Sequence, residues 1–140
     1  MNDLTRLRTL SALRDDEGRQ PRPYRDSEGK LTVGYGHCLE TGPPLSQTAM
    51  DQILEDDLAD AERLCAHLPW YATLSESRQA VIAMMVFQVG LGGVREFRRM
   101  IAAIEAEEWS RAGDEIVDSE LPQARAHRHA AQMRSGQWPG

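Results

Sequence analysis

Three side chains near the start of this 140-residue chain have the types that acid–base hydrolysis needs: Glu17, Asp26 and Thr32, separated by eight and then five residues. One carboxyl can give a proton to a leaving atom. A second, ionised carboxylate can draw a proton from water, and a hydroxyl can hold that water by a hydrogen bond. The two carboxyls must sit in unlike settings to take unlike roles. Glu17 closes an apolar helical pattern, with Leu10 and Leu13 seven and four residues before it and Gly18 after it as terminator. A carboxyl at the dry end of a helix is expected to stay protonated. Asp26 opens an Asp-Ser-Glu-Gly turn, where exposure would leave it ionised. Thr32 lies in Lys30-Leu31-Thr32-Val33-Gly34-Tyr35, whose alternation reads as a half-buried strand with Thr32 and Gly34 on the face opposite Leu31, Val33 and Tyr35. Each residue also has a plain structural reading: a solvated helix end, a turn former, and a β-branched strand residue.

The elements that must position these residues follow from the punctuation of the chain. Asp3 can cap a first helix reaching Glu17, whose stripe of Leu4, Leu7, Leu10 and Leu13 is expected to face the body of the protein. Pro21 and Pro23 force an extended path into a hairpin, roughly 24–35, with Gly29 at its turn. Gly34 and Gly36 leave room for a ligand or another part of the chain to come close. After Gly42-Pro43-Pro44, Ser46 caps a long helix to about His67. Its apolar face is expected to include Met50, Ile53, Leu54, Leu58, Ala61, Leu64, Cys65 and Leu68, with Asp57 on that face and in need of a partner.

Ser75 caps a helix over 76–89 that is apolar all round in its second half, as a central buried helix is. A glycine loop at Gly90, Gly92 and Gly93 precedes short helices over 94–100 and 101–108, with Phe97 and Ile101 inward. Further helices span 109–119 and 123–134, separated by Pro122 and closed by Gly136. The pattern is α+β and mostly helical, and 140 residues is the size of one domain.

Composition narrows the functional classes. A net charge of −6 argues against general nucleic-acid binding, which needs a basic face. No secretory leader is visible, because Arg6, Arg8, Arg14 and Asp15 interrupt the first leucines. The apolar run Ala80 to Val89 is too short to span a bilayer, so no membrane insertion is expected. Cys38 and Cys65 form no recognisable pattern and read as free thiols, Cys65 in the core and Cys38 lining a cleft. His127 and His129 diverge on a helix and make a poor metal pair, so neither a metal nor another cofactor is expected. Glu105, Glu107 and Glu108 read as solvated helix surface.

The stretch Leu13 to His37 resembles the catalytic stretch of the phage-type, T4-like lysozymes. The match includes Asp16-Glu17-Gly18, Tyr24, Asp26, Gly29, Thr32, Gly34 and Gly36-His37. The run Met84-Met85-Val86-Phe87-Gln88-Val89-Gly90 and the ending Gly136-Gln137-Trp138 are also similar to that family. The resemblance implies a two-lobed fold. A small lobe over about 18–68 would contain the hairpin, and a helical lobe over about 1–17 and 69–140 would surround the central helix. It implies a muramidase that cleaves the β-1,4 bond between N-acetylmuramic acid and N-acetylglucosamine. Glu17 would be general acid, Asp26 the base or electrostatic partner of a water, and Thr32 the residue that holds the water.

Because the family inverts configuration, the two carboxyls should stand roughly 6.5–9.5 Å apart. Tyr24, Gly36, Cys38, Phe87, Gln88 and Arg125 would bind the glycan, and His37 would pair with Asp57 to fix the strand against the long helix. Ordinary core remains the alternative for Phe87, and a solvated helix face for Arg125 and Arg128. The implied partner is the peptidoglycan glycan strand. The enzyme would be a monomer when free, made in the host cytoplasm and released to the wall by a holin, or else carried by a phage tail.

Two other readings stand beside this one: a tail or baseplate module that binds wall with little activity, and a lytic transglycosylase, which would need Glu17 alone. The chain departs from the family between His37 and Ser46, which is short, and around Leu121-Pro122, where residues including a rim aromatic are missing. It also departs at Met100 and Glu115, which replace small or amide side chains.

Overall fold

The computed structural model describes residues 1–139. It is α+β and mostly helical, with six α-helices and a three-stranded antiparallel sheet of order β1-β2-β3 among the described residues. The chain divides into two compact units, residues 1–49 and 50–140.

The first unit holds α1 (Asp3–Glu17), β1 (Gln20–Arg25), β2 (Leu31–Gly34) and β3 (His37–Cys38). The cap of α1 is Asn2 rather than Asp3: Asn2 Oδ1 accepts the Thr5 N–H at 2.8 Å. At the other end the Gly18 N–H donates to the Arg14 carbonyl at 3.0 Å, with Gly18 at φ 75°. The expected inward stripe is not observed. No residue of α1 is buried, and Leu4, Leu7, Leu10 and Leu13 are exposed. One leucine per turn, flanked by Arg6, Arg8, Arg14 and Asp15, leaves the helix without an apolar face broad enough to hold a core.

β1 carries Pro21 and Pro23 yet is a strand, because it lies at a sheet edge, where a missing N–H need cost no ladder bond. Its partners in β2 are Gln20 with Gly34, Tyr24 with Thr32 and Arg25 with Leu31, with an irregularity between Gln20 and Tyr24. β2 pairs on its other side with β3, Thr32 opposite Cys38 and Val33 opposite His37.

α2 (Gln47–Cys65) leads into the second unit, and Ser46 Oγ accepts the Ala49 N–H at 3.1 Å. Burial in α2 begins only at Ala61 and continues at Cys65. Met50, Ile53, Leu54, Leu58 and Leu64, expected on a buried face, are exposed. The helical period is present, but only the last turns meet the core.

After a 3-10 turn at Tyr71–Thr73 comes α3 (Glu76–Arg95), then α4 (Arg98–Glu105), α5 (Trp109–Val117) and α6 (Gln123–Ser135). α3 bends at Gly90, whose φ 79° and ψ 165° interrupt the helix before it resumes, where the glycines read as a loop. It is therefore longer than the apolar run suggested. Among the described residues it is the one helix long and apolar enough to cross a membrane. Its Val81, Ile82, Met85 and Val86 instead pack in the core with Met100, Ile116 and Met133.

Arg78, near the start of α3, ties down the end of α6. Its Nε donates to the Met133 carbonyl at 2.8 Å and its Nη2 to the Arg134 carbonyl at 3.2 Å. The guanidinium also lies 3.9 Å from the centre of the Trp109 ring. Gln132 Nε2 adds a buried bond to the Ser77 carbonyl at 2.8 Å.

Candidate active site

Directly opposed residues in an antiparallel pair share a face, so the register puts Tyr24, Thr32 and Cys38 in one cross-strand row. His37 belongs to the neighbouring pair with Val33 and therefore to the other face. Thr32 is the most buried residue of the sheet, 3% exposed, and its Oγ1 donates to the Lys30 carbonyl at 3.0 Å. With its proton so engaged, the hydroxyl can only accept from a third group.

Asp26 is half-buried at the β1–β2 turn, not exposed as expected. Its backbone exchanges bonds with Lys30 and Gly29, and its Oδ1 accepts the N–H groups of Glu28 and Lys30, both at 2.8 Å. Those bonds pull the carboxylate onto its own turn. Both bonds go to Oδ1, and neither engages Oδ2.

Glu17 is exposed at the end of α1, and the dry setting expected of it is not observed, because the helix above it buries nothing. Its carboxylate nevertheless has a defined place. A Cβ added at Gly36 would lie 2.7 Å from Glu17 Oε2, so the side chain rests against the bare glycine of the β2–β3 turn. Gly36 also has φ 76°, in the left-handed region. The room expected beside the glycine pair is thus occupied, at Gly36, by Glu17 itself.

Cys38 is half-buried and unpaired. Its Sγ accepts the Thr41 N–H at 3.4 Å and meets Thr41 Oγ1 at 3.3 Å. The Thr41 hydroxyl, with the backbone N–H groups of Thr41, Glu40 and Gly42, lowers the thiol pKa against a smaller effect of burial.

In the second unit the remaining site residues divide into two groups. Gln88 and Arg125, both half-buried, line a cavity of about 660 Å³ together with Val89, Phe97, Leu121 and Glu115. Phe87 is 45% exposed and belongs instead to a groove with Asp57, Asp60, Ala61, Leu64 and Val86. Neighbours on a helix point about 100° apart, so Phe87 and Gln88 do not line one depression. Asp57 is exposed, one turn before the first buried residue of α2, so it does not lie on a buried face. Met100 is fully buried in the core, whereas Glu115 lines the cavity.

Sequence reasoning missed the partner of Gln88. Gln88 Oε1 lies 3.1 Å from Nε2 of His129, which is 4% exposed. Burial first, then the charges of Arg125 and Arg128, hold the imidazole below its usual pKa. The signal was present: Ala126, His129, Ala130 and Met133 form a buried stripe at helical spacing in α6, while His127 is exposed. No group of three or more potential metal ligands occurs among the described residues.

Comparison with known proteins adds to this geometry. The family described as phage lysozyme matches residues 14–125. The chain is similar to the pre-baseplate central spike protein Gp5 of Enterobacteria phage T4, 29% identical over 79% of this chain and 24% of that protein. It thus spans about a quarter of the spike protein's length. Two proteins of Dictyostelium discoideum named as T4-type lysozymes 2 and 1 are 27% and 26% identical, covering 79% and 76% of this chain and 84% and 80% of their own lengths.

Proposed function

The chain belongs to the phage lysozyme family of glycoside hydrolases, and on that premise we propose that it is a muramidase cleaving the β-1,4 bond between N-acetylmuramic acid and N-acetylglucosamine with inversion. The observation that carries the reading is the approach of Glu17 to Gly36, beside the strand that bears Thr32 and in the same unit as Asp26. Glu17 gives its proton to the glycosidic oxygen as the bond to the anomeric carbon breaks. A water attacks that carbon from the opposite face and passes its proton to Asp26. Asp26 Oδ2 and Thr32 Oγ1 both act as acceptors toward that water, Thr32 because its own proton goes to Lys30. Both water protons are then engaged, and a lone pair is free to attack. Tyr24 and Cys38, in the same cross-strand row as Thr32, bind the glycan beside it.

The test is mass analysis of fragments released from peptidoglycan by the purified protein. Reducing ends are expected; anhydro ends would make the protein a lytic transglycosylase, and no release would leave it a binding module. Replacing Glu17 by Gln is expected to lower the rate by about 10²- to 10⁴-fold, as loss of a general acid does. An unchanged rate removes Glu17 from the mechanism.

The spike-protein relative favours a second reading of where the enzyme works: carried in the virion rather than freed at lysis by a holin. Probing purified particles with an antibody to the chain separates the two. Signal in washed particles supports the virion-borne form, and signal only in the lysate supports the free enzyme.

A further inference from the structure

An amide side chain has two unlike ends, and the end turned to a cavity decides what a ligand must offer there. Gln88 lines the cavity of about 660 Å³ with Arg125 and Glu115, while its oxygen is turned to the His129 ring nitrogen at 3.1 Å. His129 is almost wholly enclosed in α6, on the same stripe as Ala126, Ala130 and Met133, so the ring has little freedom to turn. We propose that His129 is a positioning residue: it donates its Nε2 proton to Gln88 Oε1 and so holds the Gln88 NH2 group toward the cavity, as the donor for a carbonyl of the glycan substrate. The inference rests on the muramidase reading for the identity of that ligand and on the Gln88–His129 geometry for the rest.

The proton inventory supports it. Burial and the nearby Arg125 and Arg128 favour the neutral ring, which carries one N–H. With that hydrogen on Nε2, the ring can bond only the amide oxygen and not the NH2 group, so one of the two amide orientations is selected. Without the imidazole, the half-buried amide could present either end. The carbonyl can come from an acetamido group of a sugar or from a peptide amide of the stem, since wall glycan carries both.

The tautomer is read directly from the nitrogen chemical shifts of His129 in the labelled full-length protein. Hydrogen on Nε2 is expected; hydrogen on Nδ1 would make the ring an acceptor, turn the amide oxygen outward and overturn the proposal. Binding is then measured by calorimetry with a chitin oligosaccharide and with a disaccharide peptide. His129→Leu is expected to weaken binding about five- to tenfold, as loss of one hydrogen bond's orientation should. His129→Gln, which keeps a donor facing the same oxygen, should recover most of that loss and also guards against a folding defect.

In a Gln88→Ala background His129→Leu should change nothing further, because the imidazole acts through the amide. Losses that simply add, or a His129→Gln variant as weak as the leucine variant at equal thermal stability, overturn the proposal. Weakening with both ligands assigns the acetamido carbonyl, and weakening with the peptide-bearing ligand alone assigns the stem. If the wild-type protein binds neither ligand, the carbonyl assignment is overturned. Failure of the muramidase reading is seen separately, as absence of released fragments.

Discussion

Gly36 joins two constraints at one residue, and they can be separated by substitution. Its φ of 76° disfavours any side chain, and a Cβ there would meet Glu17 Oε2 at 2.7 Å. The backbone constraint acts on stability, costing about 1 kcal/mol for alanine. The contact acts on function, because a carboxylate at the end of a flexible chain can move aside cheaply but then stands in the wrong place. Gly36→Ala is therefore expected to lower wall-lytic rate by about 10- to 100-fold, far beyond what its melting temperature explains. A rate that falls only in step with unfolding would show that the approach of Glu17 to the turn is incidental.

Glu107 is the converse case. Read as helix surface, it lies at φ 57° between α4 and α5, with its N–H bonded to the Ile104 carbonyl and that of Glu108 to the Ala103 carbonyl. That is a helix end of the kind glycine favours. Glu107→Gly is expected to raise stability by about 0.5–1 kcal/mol in denaturant melts. No local pattern marks such a position when the residue is an exposed glutamate among others.

At the scale of elements, what the sequence made legible is what short-range chemistry decides. Ser46 and Ser75 cap the helices they precede, Gly18 and Gly136 end theirs, and Pro122 precedes α6. β3 escaped because two residues have no period, and β1 was read only as extended because prolines argue against strands until the strand is known to be an edge. The leucine stripes of α1 and the first half of α2 have helical spacing, yet spacing cannot say where apolar neighbours lie.

The site followed the same rule. Glu17, Asp26 and Thr32 were joined as one candidate site by the family resemblance of their stretch, whereas the Gln88–His129 bond joins residues 41 apart and left only the polar breaks in two apolar stripes as its trace. The hold of α3 on α6 is equally long-range and makes its own prediction. Arg78→Met keeps the apolar stem but leaves the Met133 and Arg134 carbonyls without their donor and removes the contact with Trp109. A loss of about 2 kcal/mol is expected, seen as a melting temperature lower by roughly 4–8 °C. An unchanged melt would mean that water replaces the guanidinium without penalty.

At the scale of the whole chain, burial is distributed very unequally between the units. Among the described residues of the first unit only Thr32 is buried, whereas every buried apolar residue, from Ala61 to Met133, belongs to the second. Burial of apolar surface is what offsets the entropy of ordering a chain. A fragment over residues 46–140, keeping the Ser46 cap, is therefore expected to be helical and to melt cooperatively. A fragment over 1–49 should show no cooperative transition, since a lone 15-residue helix and a three-stranded sheet with one buried side chain are marginal in water.

The stable fragment should also carry the pH response of His129. Unfolded, this histidine titrates near its ordinary value of about 6.5; folded, burial, Arg125 and Arg128 hold it lower. Below about pH 6.5 the unfolded chain thus binds a proton that the folded one does not, and stability falls as pH is lowered toward the folded value. Above that range the contribution is complete. Urea midpoints of the 46–140 fragment between pH 7.5 and 5.5 should decline on the acid side, and His129→Gln should flatten that decline. Equal slopes in the two proteins would place the response elsewhere, and a 1–49 fragment that melts cooperatively would overturn the assignment of the folding core to the second unit.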